Sequence, residues 1–271
     1  MANSCEIRGN ADLFGIGVRI GSYLQWLTLI IANVVAPTSV PEISRTIAVF
    51  QLAFLCALAW NALANTDQTY DVEAFIVTAF GVGGGLTITS IRNNGCVTRL
   101  TIGVTYMLAL GFYAFSVWLW SVGLNRLARS PCSWIFLFSK LHMHGHLRYF
   151  GLVTSVLATI GSAVMLVRLI LGLWYNREHW RPWILNPTSE PNLAHSSMQQ
   201  HKIVRYAIRA AQLVALATLV TVVELTISWN GVVGVNDLMQ TGQLIPFVVG
   251  CGVLGNIIWS CIFQTPDSMY Q

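Results

Sequence analysis

Seven stretches of mainly apolar residues lie along the chain, separated by short polar breaks. Each approaches the length of about 20 residues that a helix needs to cross a bilayer. They run from about Leu13 to Ala36, stopped by Pro37; Thr46 to Ala64, ended by Asn65-Thr66-Asp67; Ala74 to Ile91; Arg99 to Leu124; Gly151 to Trp174; Ile203 to Trp229; and Gln243 to Phe263. The third is the weakest, because Gly81, Gly83, Gly84 and Gly85 interrupt it, and these glycines mark a kink or close helix packing. The pattern predicts an all-α membrane protein, with seven transmembrane helices in one bundle and the N- and C-termini on opposite faces. No internal repeat or second domain is legible, so residues 1–271 read as a single polytopic domain.

Two connections are long. Tyr175 to Lys202 holds Pro182, Pro187 and Pro191 and reads as an irregular loop. Asn125 to Phe150 contains Trp134-Ile135-Phe136-Leu137-Phe138, an apolar run too short to cross. A helix lying in the interface or a re-entrant segment suits it.

Composition supports the membrane reading. Charged residues are only 10% and hydrophobic ones 55%, against about 25% charged in soluble domains. The lipid bilayer is therefore the expected partner. Fifteen Lys+Arg against eleven Asp+Glu are scattered in ones and twos, which is no nucleic-acid footprint. The polar stretch Met1 to Asp12, followed by a run long enough to span, reads as an uncleaved N-terminus.

With seven spans, the face carrying the N-terminus (face A) has loops bearing Arg8, Arg126, Arg129, Lys140 and Arg148. The opposite face B bears Arg45, Arg92, Arg99, Arg177, Arg181, Lys202, Arg205 and Arg209. The positive-inside rule puts face B in the cytoplasm and face A outside or in a lumen, in the endoplasmic reticulum or another endomembrane. Cys5 and Cys132 share face A, where an oxidising lumen would allow a disulfide. Cys56, Cys251 and Cys261 lie in apolar runs and read as packing residues.

Ionisable residues within spans are costly, so they carry the most information. Arg19 lies about six residues into the first span, roughly 9 Å below face A at 1.5 Å per residue. Glu224 lies near the end of the sixth, within about two turns of the same face. Helical phase puts Asp12, Gly15, Arg19, Ser22, Tyr23 and Asn33 on one side of the first helix, and Thr221, Glu224 and Ser228 on one side of the sixth. Asn61, Asp67, Asp71, Glu73, Asn230, Asp237 and Gln243 also gather at face A. A polar pocket walled by apolar and aromatic residues is expected there, with Glu224 and Arg19 as candidate catalytic groups. Asp12, Tyr23, Asn61, Tyr113, Trp118, Asn230 and Gln243 are the candidate substrate-binding residues. The competing readings are that Arg19 and Glu224 only neutralise each other and fix helix packing, or that Arg19 snorkels to the interface.

Other patterns carry less. His142-Met143-His144-Gly145-His146 lacks a neighbouring carboxylate or cysteine and reads as interfacial loop histidines without metal. Gly81 to Gly85 lacks the spacing of a phosphate loop. HExxH, GxSxG and DDxxD boxes are absent, so zinc-protease, hydrolase and soluble prenyl-transfer chemistries lose support. No cofactor or metal is called for.

The opening Gly9-Asn10-Ala11-Asp12-Leu13-Phe14-Gly15-Ile16-Gly17-Val18-Arg19-Ile20 with Tyr23 and Gln25, the Cys132 to Lys140 stretch, Glu224 with Trp229-Asn230, and Thr241-Gly242-Gln243-Leu244-Ile245-Pro246 resemble a large family of fungal multi-span membrane proteins, mostly without assigned function. The resemblance covers most of the chain and implies seven spans, but no activity. Small membrane proteins of similar span number in fungal secondary metabolite pathways include cyclases of prenylated compounds, an analogy only. The leading expectation is a membrane-embedded enzyme acting on an apolar small molecule, such as a terpenoid or epoxide cyclase or isomerase. Glu224 would be its general acid, Arg19 would orient that acid or bind an oxygen, and Tyr113, Trp118 and Trp120 would stabilise developing positive charge. The alternatives are a non-catalytic scaffold, a transporter or a receptor-like protein.

Overall fold

The computed structural model describes residues 5–92, 97–136, 139–176, 198–238 and 241–263. The weakest element expected from hydropathy is one continuous helix. Gly81, Gly83, Gly84 and Gly85 do not kink it. They admit the side chains of Phe112, Trp26, Gln51 and Tyr113 against its backbone.

In chain order the elements are β1 (Ile7–Arg8), α1 (Ala11–Phe14), α2 (Ile16–Val35), α3 (Val40–Ala64), α4 (Asp71–Arg92), α5 (Arg99–Trp118), α6 (Leu124–Arg126), β2 (Trp134–Phe136), β3 (Lys140–His142), α7 (His146–Tyr175), α8 (Met198–Trp229), β4 (Val232–Val233) and α9 (Thr241–Phe263). Among the described residues the fold is all-α apart from two small sheets. Six helical segments among them are long and apolar enough to cross a membrane: Ala11–Val35, Pro37–Ala64, Arg99–Arg126, His146–Tyr175, Tyr206–Trp229 and Gly242–Phe263. The remaining long helix, α4, opens with Asp71 and Glu73 in its first turn.

Close helix contact comes from small residues. Gly17 and Gly21 form a Gly-x-x-x-Gly face on α2. A Cβ there would lie 2.3 Å from the Gln243 carbonyl oxygen and 2.3 Å from that of Pro246, and one on Gly250 would lie 2.6 Å from the Gly21 oxygen. The backbones of α2 and α9 therefore touch, as small residues allow in membrane bundles. Phe14, Leu29, Leu58, Ile76, Phe80 and Phe112 fill the interior. By contrast α7 meets α5 through Ser155 and Ser116, whose hydroxyls are 2.7 Å apart, and exposes Val153, Leu157, Ile160 and Val167 outward. Between α5 and α6 the helix widens into a π turn over Leu119–Gly123. Arg148 from α7 donates to the Trp120 and Ser121 carbonyls and to Asn125 there, satisfying groups that a π turn leaves free.

One end of the bundle carries a hydrogen-bonded cap. β1 pairs in parallel with β4, Ile7 opposite Val232. The strand β4 lies between Gly231 at φ 55° and Gly234 at φ 81°, turns that L side chains rarely adopt. β2 and β3 form an antiparallel hairpin, Trp134 opposite His142. Cys5 and Cys132 are joined by a disulfide, with Cα atoms 5.5 Å apart. The starts of α2 and α4 meet this cap through Ile16 to Val235 and Asp71 to Ala128, and Gln243 at the start of α9 accepts from the Gly17 N–H of α2.

Three expectations are corrected here. The Trp134 segment is neither an interfacial helix nor a re-entrant segment. Its aromatic and β-branched residues form a strand whose Ile135 is buried in the cap. Gly15 adopts an extended conformation and ends α1, so Asp12 does not share a continuous helical phase with Arg19. Cys56, Cys251 and Cys261 are exposed on the apolar surface and do not pack inside. The Pro182 to Pro191 loop lies outside the described residues.

Candidate functional site

Arg19 is brought to Glu224 across 205 residues of sequence by the packing of α2 against α8. Its Nη1 lies 2.5 Å from Glu224 Oε2, and its Nη2 donates to Asn236 Oδ1 at 2.5 Å. Tyr23, one turn further along α2, donates its hydroxyl to Glu224 Oε1 at 3.0 Å. Both carboxylate oxygens therefore accept hydrogen bonds, one from the guanidinium and one from the phenol.

The two charges differ in cover. The Arg19 side chain is 3% exposed and that of Glu224 is 43% exposed. Arg19 faces the bundle interior as the helical phase implies, while Glu224 lies at the flank of α8 and opens to the side. Arg19 Nε has no hydrogen-bond partner among the described residues. Beyond Tyr23 an aromatic cluster leads inward: Trp26 and Phe80 have ring centroids 5.9 and 6.2 Å from Tyr23, and Phe54 stacks on Phe80 at 5.6 Å.

The other residues singled out from the sequence have different surroundings. Asn230 donates to the Trp134 carbonyl and accepts from the Trp134 N–H. Gln243 is fully buried and accepts from the Gly17 N–H at 3.3 Å. Asp12 is exposed in α1, near Gly242. Asn61 donates to the Ala57 carbonyl one turn back in its own helix at 2.8 Å, on the α3 side of the cap. Tyr113 reaches the α4 backbone at Gly85. Trp118 packs on Phe115, and Trp120 packs edge-on against Phe75. Of the residues expected to bind substrate, Tyr23 alone hydrogen-bonds to the charged pair among the described residues.

Two features escaped the sequence. Asn236 sits in a loop, where no periodicity orients a side chain. The second is a buried cluster around Asp71, which is fully buried and accepts from the Ser130 N–H at 3.0 Å and the Ser133 hydroxyl at 2.8 Å, with His144 Nε2 2.9 Å from Oδ2. Ser133 is held at φ 45°, the one positive φ outside glycine among the described residues. The cluster has a serine, a histidine and an aspartate, yet Ser133 donates to Asp71 and is itself fully buried. A nucleophile must reach its base and its substrate, so this arrangement fastens the cap. Beside it, burial pushes the His142 imidazole below the usual histidine range, aided by His144 and Arg129 and opposed by Asp71.

Comparison of the chain with protein-family models, curated proteins and solved structures finds no match.

Proposed function

We propose that the chain is a seven-span protein of an endomembrane whose capped end faces the lumen, and that it is an enzyme acting on an apolar small molecule. The seventh span is α4, and the termini then lie on opposite faces. The Cys5–Cys132 bond supports the lumenal assignment, since disulfides persist in oxidising compartments. The basic loops of the other end agree with it.

One observation carries the enzymatic reading. A carboxylate within a span is bound on one side by a buried guanidinium and a phenol, and its side chain is still 43% exposed. A carboxylate left open toward hydrocarbon is costly, and a polar group of a bound molecule on that side would offset the cost. Here one side is open to a molecule dissolved in the bilayer. The reaction class is a cyclisation or isomerisation, as in the terpenoid and epoxide cyclases of fungal secondary metabolism. Tyr23 supplies a proton to an epoxide oxygen of the substrate as the ring opens to a carbocation. Glu224 removes one from the resulting cation, and transfer from Glu224 back to Tyr23 resets the pair. Arg19 holds the carboxylate in place, and no cofactor is consumed. The aromatic cluster of Trp26, Phe80 and Phe54 is buried behind Tyr23 and packs the phenol in place.

The test is expression in a host supplied with candidate prenylated precursors, followed by extraction. Glu224→Gln and Tyr23→Phe should each remove product at near-normal protein level. Product formed at wild-type rate by both variants would overturn the catalytic assignment.

A second, non-catalytic reading is favoured by the other arm of Arg19. By holding Asn236 as well as Glu224, it ties α8, α2 and the β4 loop together. Loss of membrane-inserted protein in Glu224→Gln, with recovery in the Arg19→Met double variant, would favour it.

A further inference from the structure

The cap holds a second polar site, distinct from Glu224. A cleft of about 290 Å³ opens between the N-terminal segment and the turn joining α3 to α4. This is close to the lower end of the range of about 300–1,000 Å³ of small-ligand sites. Its lining includes Arg8, Leu13, Asn61, Asn65, Gln68 and Glu73.

Glu73 is the least expected of these. It is 5% exposed and forms no ion pair among the described residues. Its Oε1 accepts from the Asn10 N–H at 2.9 Å and its Oε2 from the Tyr70 N–H at 3.1 Å. Each oxygen retains a further lone pair. Three amides stand around it. Asn61 uses its NH₂ on the Ala57 carbonyl, leaving its oxygen as an acceptor. The side chains of Asn65 and Gln68 make no hydrogen bond among the described residues, so each offers two donor hydrogens and an acceptor.

The charges narrow the ligand. A buried carboxylate repels an anion. Arg8 among the lining residues disfavours a cation. Hydroxyl groups satisfy the whole set: they donate to the Glu73 carboxylate and to the amide oxygens, and accept from the amide NH₂ groups. Neighbouring hydroxyls on one ring match a planar amide with its donor and acceptor side by side. Leu13 gives an apolar wall for a C–H face. We propose that this cleft binds an uncharged polyol or sugar, either free in the lumen or as the headgroup of a glycolipid.

The experiment uses the full chain reconstituted in nanodiscs. In one arm, saturation-transfer difference spectra are recorded with free glucose, mannose and N-acetylglucosamine. In the other, binding of glucosylceramide is measured in phosphatidylcholine nanodiscs. Signal in the first arm identifies a free sugar, and signal in the second alone identifies a headgroup. Asn65→Ala with Gln68→Ala should weaken binding at least tenfold, and Gln68→Ala alone, at an exposed side chain, should give part of that loss. Glu224→Gln should leave sugar binding unchanged, so failure here is separable from failure of the enzymatic reading. Absence of signal in both arms, or binding unaltered in the double variant, overturns the proposal.

Discussion

Asn230 binds the backbone of Trp134 as a neighbouring strand would, accepting from its N–H at 2.9 Å and donating to its carbonyl at 2.6 Å. The same NH₂ also donates to the Thr226 carbonyl at 2.7 Å. One side chain thus closes the end of α8 and the edge of the β2–β3 hairpin. Asn230→Asp replaces the donor with oxygen facing two carbonyls, at an expected cost of about 1–3 kcal/mol. A lowered thermal midpoint in detergent and faster proteolysis within the hairpin would register it. An unchanged midpoint would mean that the pairing adds little.

The Cys5–Cys132 bond closes a loop across 127 positions of sequence. Its removal by Cys5→Ser is expected to cost about 2–4 kcal/mol. Of the six cysteines, two should resist maleimide labelling in denatured protein until a reductant is added. Labelling of all six without reductant would show that the bond does not form.

Arg19→Met leaves Glu224 without its cation, and Glu224→Gln leaves Arg19 buried without its anion. Because Glu224 is 43% exposed, solvent and headgroup screening reduces the penalty to the order of 1–2 kcal/mol. On the non-catalytic reading, the double variant should recover part of the inserted yield lost in Arg19→Met. Strict additivity of the two losses would show that the pair contributes no coupling.

Gly21→Val should separate α2 from α9 and lower the thermal midpoint, at about 1–3 kcal/mol for overpacking. Gly252→Val on the outer face of α9, where nothing lies within 4 Å, should leave it unchanged. Equal effects at both sites would refute the close helix contact.

His142 is held below its ordinary range by burial first, then by His144 and Arg129. The folded cap therefore prefers the neutral imidazole. The stability this contributes is present above the unfolded histidine pKa of about 6.5 and is lost as pH falls through the lower folded value. His142→Gln should flatten that part of the decline in thermal midpoint on acidification. An identical pH profile in both proteins would remove His142 from the account.

Among the described residues hydropathy located each long helix, and for the six long and apolar enough to cross a membrane bilayer thickness imposes a length that composition must obey. Its edges were less legible: α7 begins at His146 and α8 at Met198, ahead of the apolar runs, since helices continue into water without an apolar signal. Shared depth brought Arg19 and Glu224 together, and helical phase added Tyr23. Phase failed for Asp12 because the break at Gly15 depends on Gln243, whose side chain occupies the space a Cβ would need. Asp71, Ser130, Ser133 and His144 converge through loops, where sequence distance says nothing about proximity. The exposure of Glu224 depends on which neighbour α8 lacks, a property of the assembled bundle.

Ile7 meets Val232, so the first strand of the chain finds its partner 225 positions later (232 − 7). At a synthesis rate of about 5–20 residues per second, that partner emerges roughly 11–45 s after it. Arg19 waits almost as long for Glu224, 205 positions on. During that interval α2 must reside in the membrane with its guanidinium unpaired, shielded by the insertion machinery or by water drawn in from the nearer membrane surface. The β1–β4 pairing is therefore a late piece of the cap to close, whereas both cysteines of its disulfide are already translated by Cys132, near the middle of the chain. A truncation after α7 would leave both the strand and the arginine without their partners, and such fragments should be retained and degraded.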